Sequence, residues 1–336
     1  MRHFLCILSL LALFDCVPLR AAEPVRLILD TDIGNDIDDA LALAMIHGLE
    51  ARAEVRLLAV TITKDNRWAA PYVDLVNTFY GHPDIPVGVV RNGKTPQDSA
   101  YIEKPAERRD AGGAYVYQHR ILEGNSAPEA VAVLQKVLED QPDQSVTIAQ
   151  VGFSTNLTRL LKAPGGQALI ARKVKVLCLM AGAFGQKVEP EYNVYTDPEA
   201  AQYLFANWPT PIVFSGFEIG SKVKFTYDSV LKDFNYTDRH PVAEAFKIFQ
   251  PVGQDRPNWD STAVLYAIRP DRGYFELSGA GRVTLGEKNV TVFTPDASGR
   301  CRYLILKPEQ EPRVQATIEM LVSEPPQHST IVSAAQ

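Results

Sequence analysis

Cysteine is scarce in this chain: four residues in 336, of which Cys6 and Cys16 fall within the first twenty-two. Cys178 sits in the apolar run Val174–Met180 and reads as a buried thiol, while Cys301 lies far along the chain. One conceivable pair is not a disulfide scaffold, so stability must come from a hydrophobic core. There is no basic cluster either. The net charge is −6, from 34 Lys+Arg against 40 Asp+Glu, which excludes polymeric nucleic acid as an expected partner. Apolar runs long enough to span a membrane are missing. The first residues are a separate matter: Arg2 and His3 precede the apolar run Phe4–Phe14, and Ala21-Ala22 offer small residues for cleavage. Residues 1–22 read as a secretory signal peptide, so a secreted or periplasmic location is expected. Asp15 before Cys16 is a poor fit to a lipidation site. Histidines are few, six in all, and of these only His119 and His240 stand where they could approach a ligand; neither is assigned a role.

What the chain does have is acid, concentrated in one place. The run Leu27-Ile28-Leu29-Asp30-Thr31-Asp32-Ile33-Gly34-Asn35-Asp36-Ile37-Asp38-Asp39-Ala40-Leu41 puts five aspartates into ten residues. The apolar residues before Asp30 read as a buried parallel strand and the Ala/Leu stretch after Asp39 as a helix, with Gly34 and Asn35 turning between them. The acids therefore cluster at the C-terminal end of a strand, where open α/β sheets place ligands. So many carboxylates repel unless a cation holds them, and hard oxygen donors favour Ca²⁺ or Mg²⁺. Helix capping needs one acid, not five. An EF-hand fails, because the sixth position is Asn35 and the twelfth is Leu41. A phosphatase of the haloacid dehalogenase type, with Mg²⁺ and Asp30 as nucleophile, stays open as an alternative although Gly34 stands where Thr or Val is usual.

Strand-like and helix-like runs alternate along the chain. Strands are expected at Val25–Leu29, Val55–Thr63, Ile85–Val90, Val146–Val151, Val174–Met180 and Pro211–Ser215. Helices are expected at Asp38–Leu49, Trp68–Tyr80, Pro128–Leu138, Asn156–Leu161 and Pro198–Asn207. The alternation predicts an α/β fold: an open, mostly parallel sheet with helices on both faces. Arg91–Gly124 is polar and without clear periodicity, a long excursion expected near the mouth of a site. Past Gly273 come short β-like runs (Arg282–Leu285, Val290–Phe293, Tyr303–Leu306) and a final helix at Arg313–Val322, a small C-terminal β addition. The expected organisation is one domain over 23–325 and a flexible tail over 326–336.

Three later segments carry polar residues at strand ends. In Gln150-Val151-Gly152-Phe153-Ser154-Thr155-Asn156, Gly152 lets the Val151 carbonyl turn outward, where it could serve as a metal ligand; a helix cap by Thr155 or Asn156 is the plainer reading. Asp197-Pro198 is a helix start, whereas Glu191 and Asn193 have no evident local job and, two apart in an extended segment, point the same way. Asp260 begins an apolar helix, beside Trp259, which is either core or a stacking surface.

Together these segments resemble the nucleoside hydrolase family (inosine–uridine-preferring hydrolases and relatives), in consistent order from about Arg26 to Arg269. The resemblance implies a Rossmann-like nucleoside hydrolase architecture. It also implies one Ca²⁺ that coordinates a catalytic water and two ribose hydroxyls, and hydrolysis of the N-glycosidic bond of ribonucleosides to ribose and base. By that resemblance Asp32 is the general base and touches the metal. Asp39, Asp260 and the Val151 carbonyl are further metal ligands. Asp38 and Asn193 hold the ribose hydroxyls, Glu191 lies near the 5′-hydroxyl, Asn66 is a further ribose-side amide, and Met180 lies along the ribose. Two residues, Asp36-Ile37, are extra within the first motif, so Asp36 competes with Asp38 for the ribose role. The His that precedes the last aspartate in many members is Trp259 here, which resembles the purine-preferring branch; Tyr101, Tyr115 or Tyr117 would then supply a second stacking aromatic. A non-catalytic nucleoside or ribose binder is the other alternative. The expected partner is a small-molecule nucleoside, and relatives suggest a homodimer or homotetramer.

Overall fold

The computed structural model describes residues 23–185 and 189–327; the proposed signal peptide, most of the tail and the segment 186–188 lie outside them. Among the described residues twelve strands form: β1 Val25–Thr31, β2 Val55–Lys64, β3 Val87–Lys94, β4 Val146–Gln150, β5 Val174–Met180, β6 Ile212–Ser215, β7 Lys224–Phe225, β8 Arg256–Pro257, β9 Glu276–Leu277, β10 Gly281–Leu285, β11 Thr291–Pro295 and β12 Cys301–Ile305. The main sheet runs β11-β10-β12-β6-β5-β4-β1-β2-β3, with β9 paired to β12, while β7 and β8 pair separately. From β3 across to β12 every pairing is parallel. The C-terminal β runs are therefore part of the main sheet: β12 extends it alongside β6, and β10 and β11 close its edge as antiparallel strands.

The strand order reverses between β1 and β4, since β2 and β3 follow β1 on one side while β4, β5 and β6 proceed on the other. An open α/β sheet has its crevice at such a switch point, outside the carboxyl ends of the strands. β1 ends at Thr31 and β4 at Gln150, so the acidic turn and the Val151–Gly152 turn leave the sheet side by side. Gly152 makes that approach feasible: a Cβ there would lie 2.5 Å from the Asp32 nitrogen and 2.5 Å from Thr63 Oγ1.

The helix Asp38–Ala51 is apolar nearly all round and buried along almost its whole length, as expected for an element enclosed by the sheet and other helices. Two apolar clusters form the core. One contains Leu29, Leu43, Ile62 and Val264, the other Ile28, Ile148, Leu177 and Trp208. Cys178 and Cys301 are both buried and free. The excursion after β3 is more ordered than its polarity predicts: it contains the helix Ala100–Glu107, whose apolar residues Tyr101 and Ile102 are buried against the acidic turn. Among the described residues no helix is long and apolar enough to cross a membrane.

Candidate active site

The acidic turn builds one wall of a cavity of about 570 Å³. Asp32 leaves the end of β1 almost wholly buried, 4 % exposed, and its Oδ2 accepts from Asn35 Nδ2 at 2.7 Å. Gly34 adopts φ +111, a conformation that favours glycine, and its N–H donates to the Tyr101 hydroxyl at 2.6 Å. Asp36 turns toward the cavity mouth and pairs with Arg256, whose Nε lies 3.0 Å from Oδ1. The inserted acid is thus neutralised by a cation, which leaves Asp38 as the deeper of the two.

Asp38 and Asp39 open their helix, yet neither caps it. Asp38 Oδ2 instead accepts the N–H groups of Trp259 at 2.9 Å and Asp260 at 3.1 Å, capping the distant helix Asp260–Ile268 from across the fold. Asp39 Oδ1 accepts from the Thr31 hydroxyl. These bonds hold three carboxylates together: Asp38, Asp39 and Asp260 each offer an oxygen, all within 4.8 Å of one another. Burial, reinforced by the neighbouring charges, raises the pKa of all three well above the ordinary carboxylate value. Asp32 is pushed up to about 6, mainly by burial. Lys64 beside Asp32 and Asp39 and Arg256 beside Asp38 bring positive charge that only partly offsets this burial, and the donors of the set are all oxygen.

The opposite wall comes from the segments after β4 and β5. The Val151 carbonyl turns out of the ladder as expected and accepts from Asn193 Nδ2 at 2.7 Å; the same amide reaches the Met180 carbonyl at 3.0 Å. Glu191 and Asn193 do not lie in an extended segment. Tyr192–Thr196 is a short helix, and Glu191 is its cap, accepting from Asn193 N at 2.8 Å and Val194 N at 3.2 Å, with Gly182 N at 3.0 Å. Glu191 therefore has a local job while still lining the cavity, and burial raises its pKa to about 7.

The structure brings Asp32, Asp38, Asp39, Val151, Met180, Glu191, Asn193, Trp259 and Asp260 to one cavity. Asn66 is not among its lining residues. Its amide nitrogen donates to Pro96 O, Gln97 O and Asp98 Oδ1, and its oxygen accepts from Trp68 N, so it braces the loop over residues 95–98. None of the three tyrosines proposed as stacking partners lines the cavity. Tyr101 is buried between Gly34 and Asp36, Tyr117 donates to Glu244 at 2.6 Å, and Tyr115 packs on His119. The aromatic wall is instead Trp259, Phe217 and Tyr192, with Phe217 stacked on Trp259 at 5.5 Å and 25°. Thr155 and Asn156 make no cap hydrogen bond: Thr155 donates to Asp197, and Asn156 Nδ2 donates to Asp30 Oδ1 at 2.9 Å. Asp197 likewise makes no cap bond, though Pro198 does open its helix.

Asp30 itself is fully buried, also accepts from Thr61 at 2.6 Å, and stays outside the cavity lining. A nucleophile must meet its substrate, so the phosphatase alternative fails here. Sequence reasoning missed Lys64, Arg256, Phe217, Tyr192 and the loop residues Gln97 and Asp98. Lys64 had a signal, a lysine closing an apolar strand; its Nζ reaches Asn35 Oδ1 at 2.9 Å and Thr95 O at 2.7 Å. Phe217 had none, because only the fold carries β6 to the mouth of this crevice.

Sheet order and acidic crevice place the chain in the class of doubly wound α/β proteins with a ligand site at the switch point. A family model described as inosine-uridine preferring nucleoside hydrolase matches residues 27–324, and the chain belongs to that family. The pyrimidine-specific ribonucleoside hydrolase RihA of Salmonella agona is 32% identical over 216 residues, 59% of this chain and 62% of that protein; this chain thus matches less than two thirds of its length. RihA of Salmonella paratyphi C is 28% identical over 73% of this chain and 80% of the relative. The fold is similar to an inosine-uridine preferring nucleoside hydrolase from Bacillus anthracis (TM-score 0.67, 19% identity, 89% of this chain and 99% of that one). It is also similar to the plant nucleoside hydrolase PpNRh1 (TM-score 0.65, 21% identity, 90% and 100%).

Proposed function

We propose that this crevice hydrolyses the N-glycosidic bond of a ribonucleoside, releasing ribose and the free base. One observation carries the reading: the buried carboxylate of Asp32 lines the same cavity as the Asp38–Asp39–Asp260 cluster and the Glu191–Asn193 pair. The donor set suits Ca²⁺, a hard cation that takes carboxylates and backbone carbonyls. Asp39, Asp260 and the Val151 carbonyl would hold it, with Asp32 touching it and Asp38 at its edge. Bound there, it supplies Lewis-acid activation of water and an anchor for the sugar hydroxyls.

The chain's own residues do the rest. As the water oxygen bonds to the anomeric carbon, Asp32 takes its proton; the C1′–N bond breaks and its electron pair leaves with the base. Burial raises the basicity of the Asp32 carboxylate above that of an exposed aspartate, which suits it to accept that proton. The surrounding carboxylates favour the positive charge that develops on the sugar. Asp38 and Asn193 face the ribose hydroxyls and Glu191 the 5′ end. Among the described residues no histidine lines the cavity, so base departure relies on the aromatic wall. Trp259 and Phe217 stacked together favour a purine, whereas the two RihA relatives named above are pyrimidine-specific.

The test is release of free base from inosine, adenosine, uridine and cytidine by the mature chain, with Ca²⁺ and after chelation. Chelator-sensitive hydrolysis is expected, with purines ahead. A uridine-only enzyme would remove the purine preference alone; absence of hydrolysis despite retained Ca²⁺ would favour the binder. Export rests on residues 1–22 and is tested by the N-terminus of the mature protein, expected near residue 22. Assembly as a homodimer or homotetramer rests on the family and is read from the mass in solution.

A further inference from the structure

Far from the crevice mouth, the last turns of the helix Asp38–Ala51 carry His47 and Glu50, on one face because they are three apart. The chain returns beside them at His82, just beyond the helix Ala69–Phe79. His47 Nδ1 lies 3.0 Å from Glu50 Oε2, and His82 Nε2 lies 3.7 Å from the same oxygen. One donor atom from each of the three residues falls within 4.8 Å of the others. A tetrahedral ion with bonds of about 2.0–2.2 Å spaces its donors roughly 3.3–3.6 Å apart, against the 3.0 and 3.7 Å found here.

The surroundings prepare the donors. His47 Nε2 lies 2.9 Å from Asn77 Oδ1; with the ring proton on Nε2, the Nδ1 lone pair faces Glu50. Two acceptors then face each other at 3.0 Å, an arrangement that needs a cation between them, proton or metal. Glu50 Oε1 accepts from Leu57 N at 2.8 Å, fixing the carboxylate. His47 stacks on Tyr80 at 4.8 Å and on His82 at 5.3 Å. Parallel rings cannot both aim at one ion, so closing the site requires the His82 side chain, 42 % exposed, to turn its edge inward. It borders a cavity of about 550 Å³ that also reaches Glu50, giving entry for an ion and room for a water as fourth ligand.

We propose that His47, Glu50 and His82 form a second metal site, taking a borderline divalent ion of the Zn²⁺ type. Two imidazoles and one carboxylate suit such an ion better than Ca²⁺. The ion ties the end of one helix to the segment following the next, so its role is structural and independent of the nucleoside reading.

The test titrates the mature chain with Zn²⁺ alone, with the acidic crevice first saturated with Ca²⁺, and counts metal retained after gel filtration. One equivalent is expected, lost in His82→Ala and in Glu50→Gln but kept in Asp39→Asn. At a hundredfold excess over Kd, Zn²⁺ should raise the wild-type Tm by roughly 5 °C and leave His82→Ala unmoved. His82 is the residue to remove because its exposure lets the variant fold, as its Zn²⁺-free Tm would show. No retained Zn²⁺ means that a proton alone bridges His47 and Glu50, and overturns the proposal. Zn²⁺ that survives His82→Ala or disappears in Asp39→Asn overturns it too.

Discussion

The guanidinium of Arg256 grips Asp36 in a two-pronged ion pair across 220 residues of sequence. The two side chains are 29 % and 28 % exposed, so the pair is partly shielded from water. It joins the inserted turn of the first motif to the strand that leads into Trp259 and Asp260. Arg256 also stands over the rings of Phe249 and Trp259, at 5.3 and 5.6 Å. One cation thus balances the extra acid and steadies the aromatic wall.

Removing that cation should therefore do more than break a surface pair. In Arg256→Met, Asp36 faces the other carboxylates unpaired, and a charge-assisted bond of about 1.5–3 kcal/mol is lost. We expect kcat/KM to fall about 10-fold or more, with KM rising most. Adding Asp36→Asn should recover much of the loss, because the repulsion goes with the charge. Steady-state kinetics on the two single variants and the double variant measure this; a double variant no better than Arg256→Met would show that Asp36 was not the source.

Asp32→Asn keeps the size and polarity of the side chain but cannot take a proton. Loss of a general base typically costs ~10²–10⁴ in rate. The expected outcome is a kcat drop of that order with Ca²⁺ retained, because Asp38, Asp39 and Asp260 still converge. Retained metal is read by calorimetry. Unchanged kcat would move the base role to another carboxylate.

How far the sequence reached depended on whether a residue's role was local. Asp30 to Asp39 could be read because the strand, the turn and the helix that place them are contiguous. β5 came out with its ends intact at Val174 and Met180, since strands buried on both faces are apolar throughout. The helix Ala100–Glu107 was invisible because its stabilising contacts are tertiary: Tyr101 and Ile102 are buried amid charged neighbours that carry no clear period. Asn66 was misplaced for a related reason, as its amide is taken by a loop thirty residues on. Glu191 hid its capping role because a five-residue helix is too short to show a period.

Gly152 tests how tightly the two strand ends must meet. Its missing Cβ would press on the backbone of Thr31 and Asp32 and on Thr63 Oγ1, at 2.5 to 2.7 Å, and backbone cannot step aside. Gly152→Ala should cost roughly 1–3 kcal/mol and displace Asp32 together with the Val151 carbonyl. Activity should fall more than Tm implies. A variant with normal kcat/KM at a lowered Tm would mean that the site tolerates the shift.

The buried acids also set how stability depends on pH and metal. Asp32 and Glu191 titrate near 6 and 7, against ordinary values of 3.8 and 4.5, and Asp38, Asp39 and Asp260 are raised as well. A carboxyl whose pKa is higher in the fold than in the unfolded chain favours folding while protonated. That contribution is complete below the ordinary value and is lost as pH rises through the raised one. Chelated protein should thus lose stability between about pH 4 and pH 7 as Asp32 and Glu191 ionise without the divalent counter-charge. A bound divalent cation offsets the same charges, and it binds only once they ionise. The Tm gap between Ca²⁺-loaded and chelated protein should therefore be small at pH 5 and wide at pH 8. Thermal melts at the two pH values decide it: an equal gap at both would place the stabilising cation away from Asp38, Asp39 and Asp260.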